Sequence, residues 1–166
     1  PDGFWTESTA LPNTFTAQVR KASMVSGWWW YNAINSPTIK YKLSHFLSTR
    51  FTIEKSNGAG TSTEFYDHIR LLLFYSYGNY KTLAKKITLD NSMLNYLNNT
   101  DNTKNAPNEN YAREFFELFT IGKGEQIAPG DYTNYTENDI VQAARVLTGF
   151  RRKADRTVID ATTGIP

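Results

Sequence analysis

The chain has 166 residues, 40% hydrophobic and 20% charged, with 18 Lys and Arg against 16 Asp and Glu. That is the size of one domain with its own core, in a composition that folds rather than staying disordered. A net charge of +2, with RRK at 151–153 the only dense basic cluster, excludes a nucleic-acid footprint, and the lack of cysteine excludes disulfides, thiolate metal sites and thiol catalysis. Heavy use of Asn, Thr and Ser, together with ten tyrosines, leans towards an exported bacterial protein. No apolar run approaches the roughly 18 residues that span a bilayer, since IRLLLFYSY at 69–77 is broken by Arg70 and Ser76. The sequence starts at Pro1 without a methionine or a signal-like segment, so a processed or partial piece of something longer is expected.

In chain order, PDGFWTESTALPNT reads as a capped, proline-marked entry, and residues 15–35 as a helix with Gly27 its weak point. Trp28, Trp29 and Trp30 cover most of a turn and cannot all face one way, so one or two belong to the core and the rest to another element or a partner. Ser36-Pro37 is a helix start, with serine capping and proline in the first turn. The helix it opens, roughly 37–51, places Ile39, Leu43, Phe46, Leu47 and Arg50 on or near one face. SNGAGTST at 56–63 is a loop in which Thr61 and Glu64 form a capping box for a helix over 62–77, ended by Gly78. Helices follow at about 80–89 and from 91, and then a polar loop at 98–107. A helix over 107–121 ends at Gly122, a left-handed cap, before an irregular stretch. Thr136 and Asp139 cap a last helix, 137–149, whose stripe is Ile140, Ala143, Ala144 and Leu147. Beyond Gly149 periodicity is lost, apart from a weak extended signal at 157–159. The fold class is all-α: an irregular orthogonal domain of about six helices over 1–150, with an irregular tail at 151–166 expected to lead into a further C-terminal portion.

The chemistry-bearing residues concentrate in 107–121. Asn110, Glu114 and Glu117 share one helix face, Glu109, Arg113 and Glu117 an adjoining one, and Phe115, Leu118 and Phe119 the core side. One reading is architectural: Glu109 pairs with Arg113, Arg113 with Glu117, and Asn108 organises the turn. The other is functional. Glu114 and Glu117 turn inward to bind a cation or activate water, because carboxylates three apart on a helix can share a metal or a proton. Only His45 and His68 could add nitrogen ligands, and neither belongs to a paired histidine motif. No nucleophile elbow, phosphate loop or calcium loop is present.

APNENYAREFFELFTIGKGEQ followed by YTENDIVQAARVLTGF resembles the central signature of the bacterial domain-of-unknown-function family 1800. There a PNENxARE segment leads into ELFTLG, then YTExDV and ALTGW. The likeness covers Pro107 to Asn110, Ala112 to Glu114, Glu117 to Thr120, Gly122, Tyr135 to Glu137, Asp139, Ala144, Arg145 and Leu147 to Gly149, with Phe150 in the tryptophan's place. Upstream, MLNYLNN at 93–99 fits, and KLSHF at 42–46 is similar to WHNHF, keeping His45 and Phe46 but with Leu43 for the first histidine and Ser44 for the asparagine. The resemblance implies an exported or cell-envelope protein, often made beside a sulfatase-like one, with no established reaction. It also implies that Asn108, Glu109, Arg113 and Glu114 are more than a helix face.

Three functions follow as expectations. The first is a secreted structural or interaction component of an envelope assembly with a protein partner. The second is a metal-assisted hydrolase, with Glu109 or Glu114 as base or ligand, Arg113 as anion clamp, and Glu114, Glu117 and His45 as the candidate metal set. The third is carbohydrate binding at the aromatic cluster of residues 28–31. Glu114 and His45 facing one cavity would favour the enzyme, and a solvated Glu114 with no histidine near it would sink it.

Overall fold

The computed structural model describes residues 15–54 and 60–166; the expected entry segment and the first half of the 56–63 loop lie outside them. The described chain is predominantly helical. α1 (Phe15–Asn35) leads through a bend into α2 (Lys40–Ser48), and α3 (Ser62–Phe74), α4 (Tyr80–Ile87) and α5 (Asn91–Tyr96) follow. A single 3-10 turn (Asn99–Asp101) precedes α6 (Asn110–Glu114), which widens into a π turn (Phe115–Phe119). A small antiparallel hairpin, β1 (Gln126–Ala128) with β2 (Asp131–Tyr132), then leads to α7 (Glu137–Val146).

Local chemistry explains most of these boundaries. Thr61 and Glu64 form the reciprocal box at the start of α3, and Thr136 and Asp139 do the same for α7. Asn79 and Asp90 each accept a backbone N–H in the first turn of α4 and α5. Three stretches differ from expectation. The helix expected over 107–121 begins only at Asn110, because the Asn108 side chain accepts from Asn110 N and makes a turn there, and it is α-helical only to Glu114. α2 begins three residues after Pro37, because the Ser36 hydroxyl accepts from Thr38 N at 3.2 Å and makes a local turn instead of a cap. The stretch expected to be irregular after Gly122 instead pairs as the hairpin, with Gly130 at φ 81° supplying its turn. No strand forms at 157–159.

The core lies around α3. From Ser62 to Leu73 every residue of this helix except Arg70 is buried, because α1, α2, α4 and α5 all pack on it. Phe51, Ile69, Leu72, Ile87 and Met93 lose all solvent contact there. A smaller cluster of Ala112, Tyr135, Ile140 and Ala144 joins α6 to α7. The adjacent tryptophans divide as their geometry requires: Trp29 is buried and donates its indole N–H to Ser44 Oγ at 2.8 Å, Trp28 packs on Tyr41 and Tyr66, and Trp30 faces outward.

A helix buried all round must also bury its polar residues. Glu64 and Asp67 lie one turn apart on α3, and the segment after Gly149 brings Arg152 and Arg156 to them. Arg152 grips Glu64 through two nitrogens, one at 2.7 Å, and Arg156 grips Asp67 at 2.8 and 3.1 Å. His68 Nδ1 meets Asp90 Oδ2 at 3.0 Å, the same oxygen that caps α5. Without helix or strand of its own, the 150–166 segment is thereby held to the domain, and Ile165 enters the main core. A cleft of about 530 Å³ runs between this segment and α4–α5.

The Glu64 side chain is fully buried and Arg152 is only 25% exposed. Removing one partner of a buried pair costs about 3–5 kcal/mol. The capping bonds that Glu64 keeps, and the water that reaches Arg152, place Arg152→Leu near the low end, about 3 kcal/mol by urea unfolding. A second substitution, Glu64→Gln, should recover part of that loss by removing the stranded charge.

Candidate functional site

The segment before α6 is fixed by Asn102, a fully buried side chain. Its amide donates to Ala144 O at 2.8 Å, its carbonyl oxygen accepts from Asn108 N at 3.0 Å, and its backbone oxygen accepts from Gly149 N at 3.2 Å. One asparagine thus joins the helix mouth to the end of α7. Asn108 accepts from Asn110 N at 3.0 Å, organising the turn as its short side chain allows. Asn110 reaches Leu97 O.

Most of the charged residues in this segment are committed to intramolecular bonds. Arg113 bridges Glu109 at 3.3 Å and clamps both oxygens of Glu137 at the start of α7. The bond to Glu137 raises the guanidinium pKa, while the same bond holds the Glu137 carboxyl below the usual range. Glu117 does not meet Arg113 across a helix face. The wider π turn, within which Glu117 lies, changes its angular offset from Arg113, and Glu117 instead accepts from Tyr135 Oη at 2.6 Å and pairs with Lys123 at 3.0 Å. Burial raises its pKa, but these two partners prevail and the net shift is downward.

Glu114 is the exception. It is half-buried, and neither a hydrogen bond nor an ion pair engages it. Burial raises its pKa, with the Glu117 charge adding to the effect. It lines a cavity of about 430 Å³ with Thr49, Arg50, Thr52, Tyr96 and the apolar Leu118. The π turn shapes this wall: it supplies Leu118 and Phe119 directly after Glu114, and Gly122 at φ 71° closes it through Gly122 N to Phe116 O. Arg50 and Tyr96 were not singled out from the sequence as site residues. Helical spacing placed Arg50 beside the apolar face of α2, and nothing local reveals that α5 brings Tyr96 opposite it.

His45 sits elsewhere. Its ring lies between Trp29 and Trp30, with centroids 3.6 and 4.2 Å away, and it lines a separate cavity with Trp30, Ile34 and Lys42. Its Nε2 is buried without a partner. The fold therefore does not bring Glu114, Glu117 and His45 together, and among the described residues no three His, Asp or Glu side chains gather as a metal would require. His68, the other histidine, is spent on Asp90 inside the core.

The family profile described as protein of unknown function, DUF1800, matches residues 7–163. The chain belongs to the DUF1800 family. No curated protein and no solved structure matches it. In this DUF1800 chain the signature residues 107–122 thus divide into ties that hold α6 to α7 and the hairpin, and one free carboxylate, Glu114, at a cavity. No helix among the described residues is long and apolar enough to cross a membrane.

Burial lowers the His45 pKa, against a hydrogen bond with the Trp29 backbone that raises it. The unfolded chain then takes up a proton at about pH 6.5, before the folded one does. The His45 contribution to stability is full above that pH and is lost as pH falls towards the folded value. Thermal melts should show this loss setting in as pH falls from about 7.5 through 6.5, and His45→Phe, which keeps a flat ring between the indoles, should show a shallower slope there.

Proposed function

We propose that this chain is a structural and interaction component of an exported or cell-envelope assembly, docking through the outer face of α1 and α2. The observation that carries this reading is the apolar surface there: Trp30, Ile34, Ile39 and Phe46 are each more than half exposed. Isolated exposed apolar residues are ordinary, but several large ones on adjoining helices mark contact surfaces. Ile39, Lys42 and Phe46 recur at three- and four-residue steps on α2, and Lys42 shares a cavity with Trp30 and Ile34. Neither α1 nor α2 contains an acidic residue, while α2 carries Lys40 and Lys42. The occupant this fits is a protein surface with an apolar centre ringed by carboxylates. A photoreactive residue at position 34 or 39 should crosslink one defined partner in the native envelope fraction. The same residue at Val146, which is 76% exposed on α7, should not. Equal capture from position 146 would sink the reading.

The metal-assisted hydrolase is the second reading, and Glu114, unpaired at a cavity, is what favours it. Against it, Glu109 and Arg113 are engaged in ion pairs and His45 lines a different cavity. Elemental analysis of the native protein separates the two. A near-stoichiometric metal lost in Glu114→Gln would favour the hydrolase; the interaction reading expects that substitution to leave metal content unchanged.

A further inference from the structure

Three polar side chains without a hydrogen-bond or ion-pair partner line the Glu114 cavity. Glu114 approaches from the end of α6, Arg50 from just beyond α2, and Tyr96 from the last turn of α5. Among the described residues, no hydrogen bond or ion pair engages the side chain of any of the three. The Arg50 guanidinium instead stands 5.8 Å over the Phe46 ring. Its charge and that of Glu114 are of opposite sign, line one cavity, and do not bridge. Several other carboxylates behave differently: Glu64, Asp67, Glu109, Glu117 and Glu137 are each tied to a cation. The hydroxyls of Thr49 and Thr52 donate to backbone oxygens, at 2.7 and 3.2 Å, which leaves their oxygens free to accept.

The donor and acceptor sets can be read directly. Arg50 and the Tyr96 phenol offer N–H and O–H groups suited to a carboxylate. Glu114 and the two threonine oxygens offer only acceptors, suited to an ammonium. Between them Leu97, Leu118 and Phe119 supply an apolar wall. A volume of about 430 Å³ falls within the range of roughly 300–1,000 Å³ typical of small-molecule sites.

We propose that this cavity binds a small zwitterion with an apolar side chain, a free amino acid or dipeptide, its carboxylate on Arg50 and Tyr96 and its ammonium on Glu114. Such a ligand pairs the half-buried Glu114 and the exposed Arg50 at once, which neither a simple anion nor a simple cation does. The wide turn after Glu114 fits this use, since π turns persist where a displaced side chain serves a site. This site is separate from the α1–α2 docking face and does not rest on it.

The test is calorimetric titration of the unmodified chain with L-leucine and with leucyl-leucine, against their N-acetylated and C-amidated forms. At least one zwitterion should bind saturably by millimolar concentration, and each capped form should bind about tenfold or more weakly, the usual effect of losing one charge-assisted hydrogen bond. Arg50→Gln should abolish the discrimination against the amide, and Glu114→Gln that against the acetylated form. The proposal is overturned if neither zwitterion binds, if capped and free forms bind alike, or if the two substitutions leave the discrimination unchanged. The capped series uses the unmodified chain, so it decides the matter even if a variant fails to fold.

Discussion

The rest of the structure depends on burying α3 with its acidic residues still on it. A helix packed on nearly every side cannot send Glu64 and Asp67 to water, and an unpaired carboxylate in such a place is prohibitive. Arg152 and Arg156, four apart on a segment with no regular structure, meet two carboxylates three apart on the helix. The match is geometric: one helical turn on α3 corresponds to one short stretch of the returning chain. The Asp67 pKa still lies above the ordinary range, because burial outweighs the help of Arg156. These pairs are therefore better understood as fixing where the 150–166 segment lies than as a large source of stability.

The same logic runs through the second half of the domain. α6 is one and a half turns long, too short to persist in isolation. It is held from outside: Asn102 anchors the chain before it, Arg113 clamps Glu137 on α7, and Glu117 reaches Tyr135 and Lys123. Phe115 and Phe119 then pack towards Tyr111 and the main core. With so many side chains committed to ties, a carboxylate left without one stands out. Within residues 107–122 Glu114 is that residue, and the π turn that follows it accounts for the position of Glu117 away from Arg113.

Where the chain can signal locally, the signals were legible. The capping boxes at Thr61–Glu64 and Thr136–Asp139 and the left-handed glycine at 122 need partners only three to six residues away, and each formed as its spacing required. The division of Trp28, Trp29 and Trp30 between core and surface follows from helical geometry alone. The family signature was likewise legible as an ordered run of residues. Ser36 shows the limit of local reasoning: a serine before proline can cap a helix or close its own turn, and here the turn prevailed.

By itself, the sequence determined a helical domain, most of its helix starts, the absence of thiol chemistry and membership of the DUF1800 family, because caps, periodicity and motif order act over a few residues. Tertiary structure alone decided which charges are spent and which are free. Arg152 and Glu64 are 88 residues apart, and Tyr135 and Glu117 are 18 apart, so no local pattern announces either pair. The widening of α6 into a π turn set Glu117 apart from Arg113. Packing also brought Arg50 and Tyr96 to Glu114 while keeping His45 between two indoles in another cavity. A charged side chain takes its role from the partner that reaches it, and that partner is chosen by the fold.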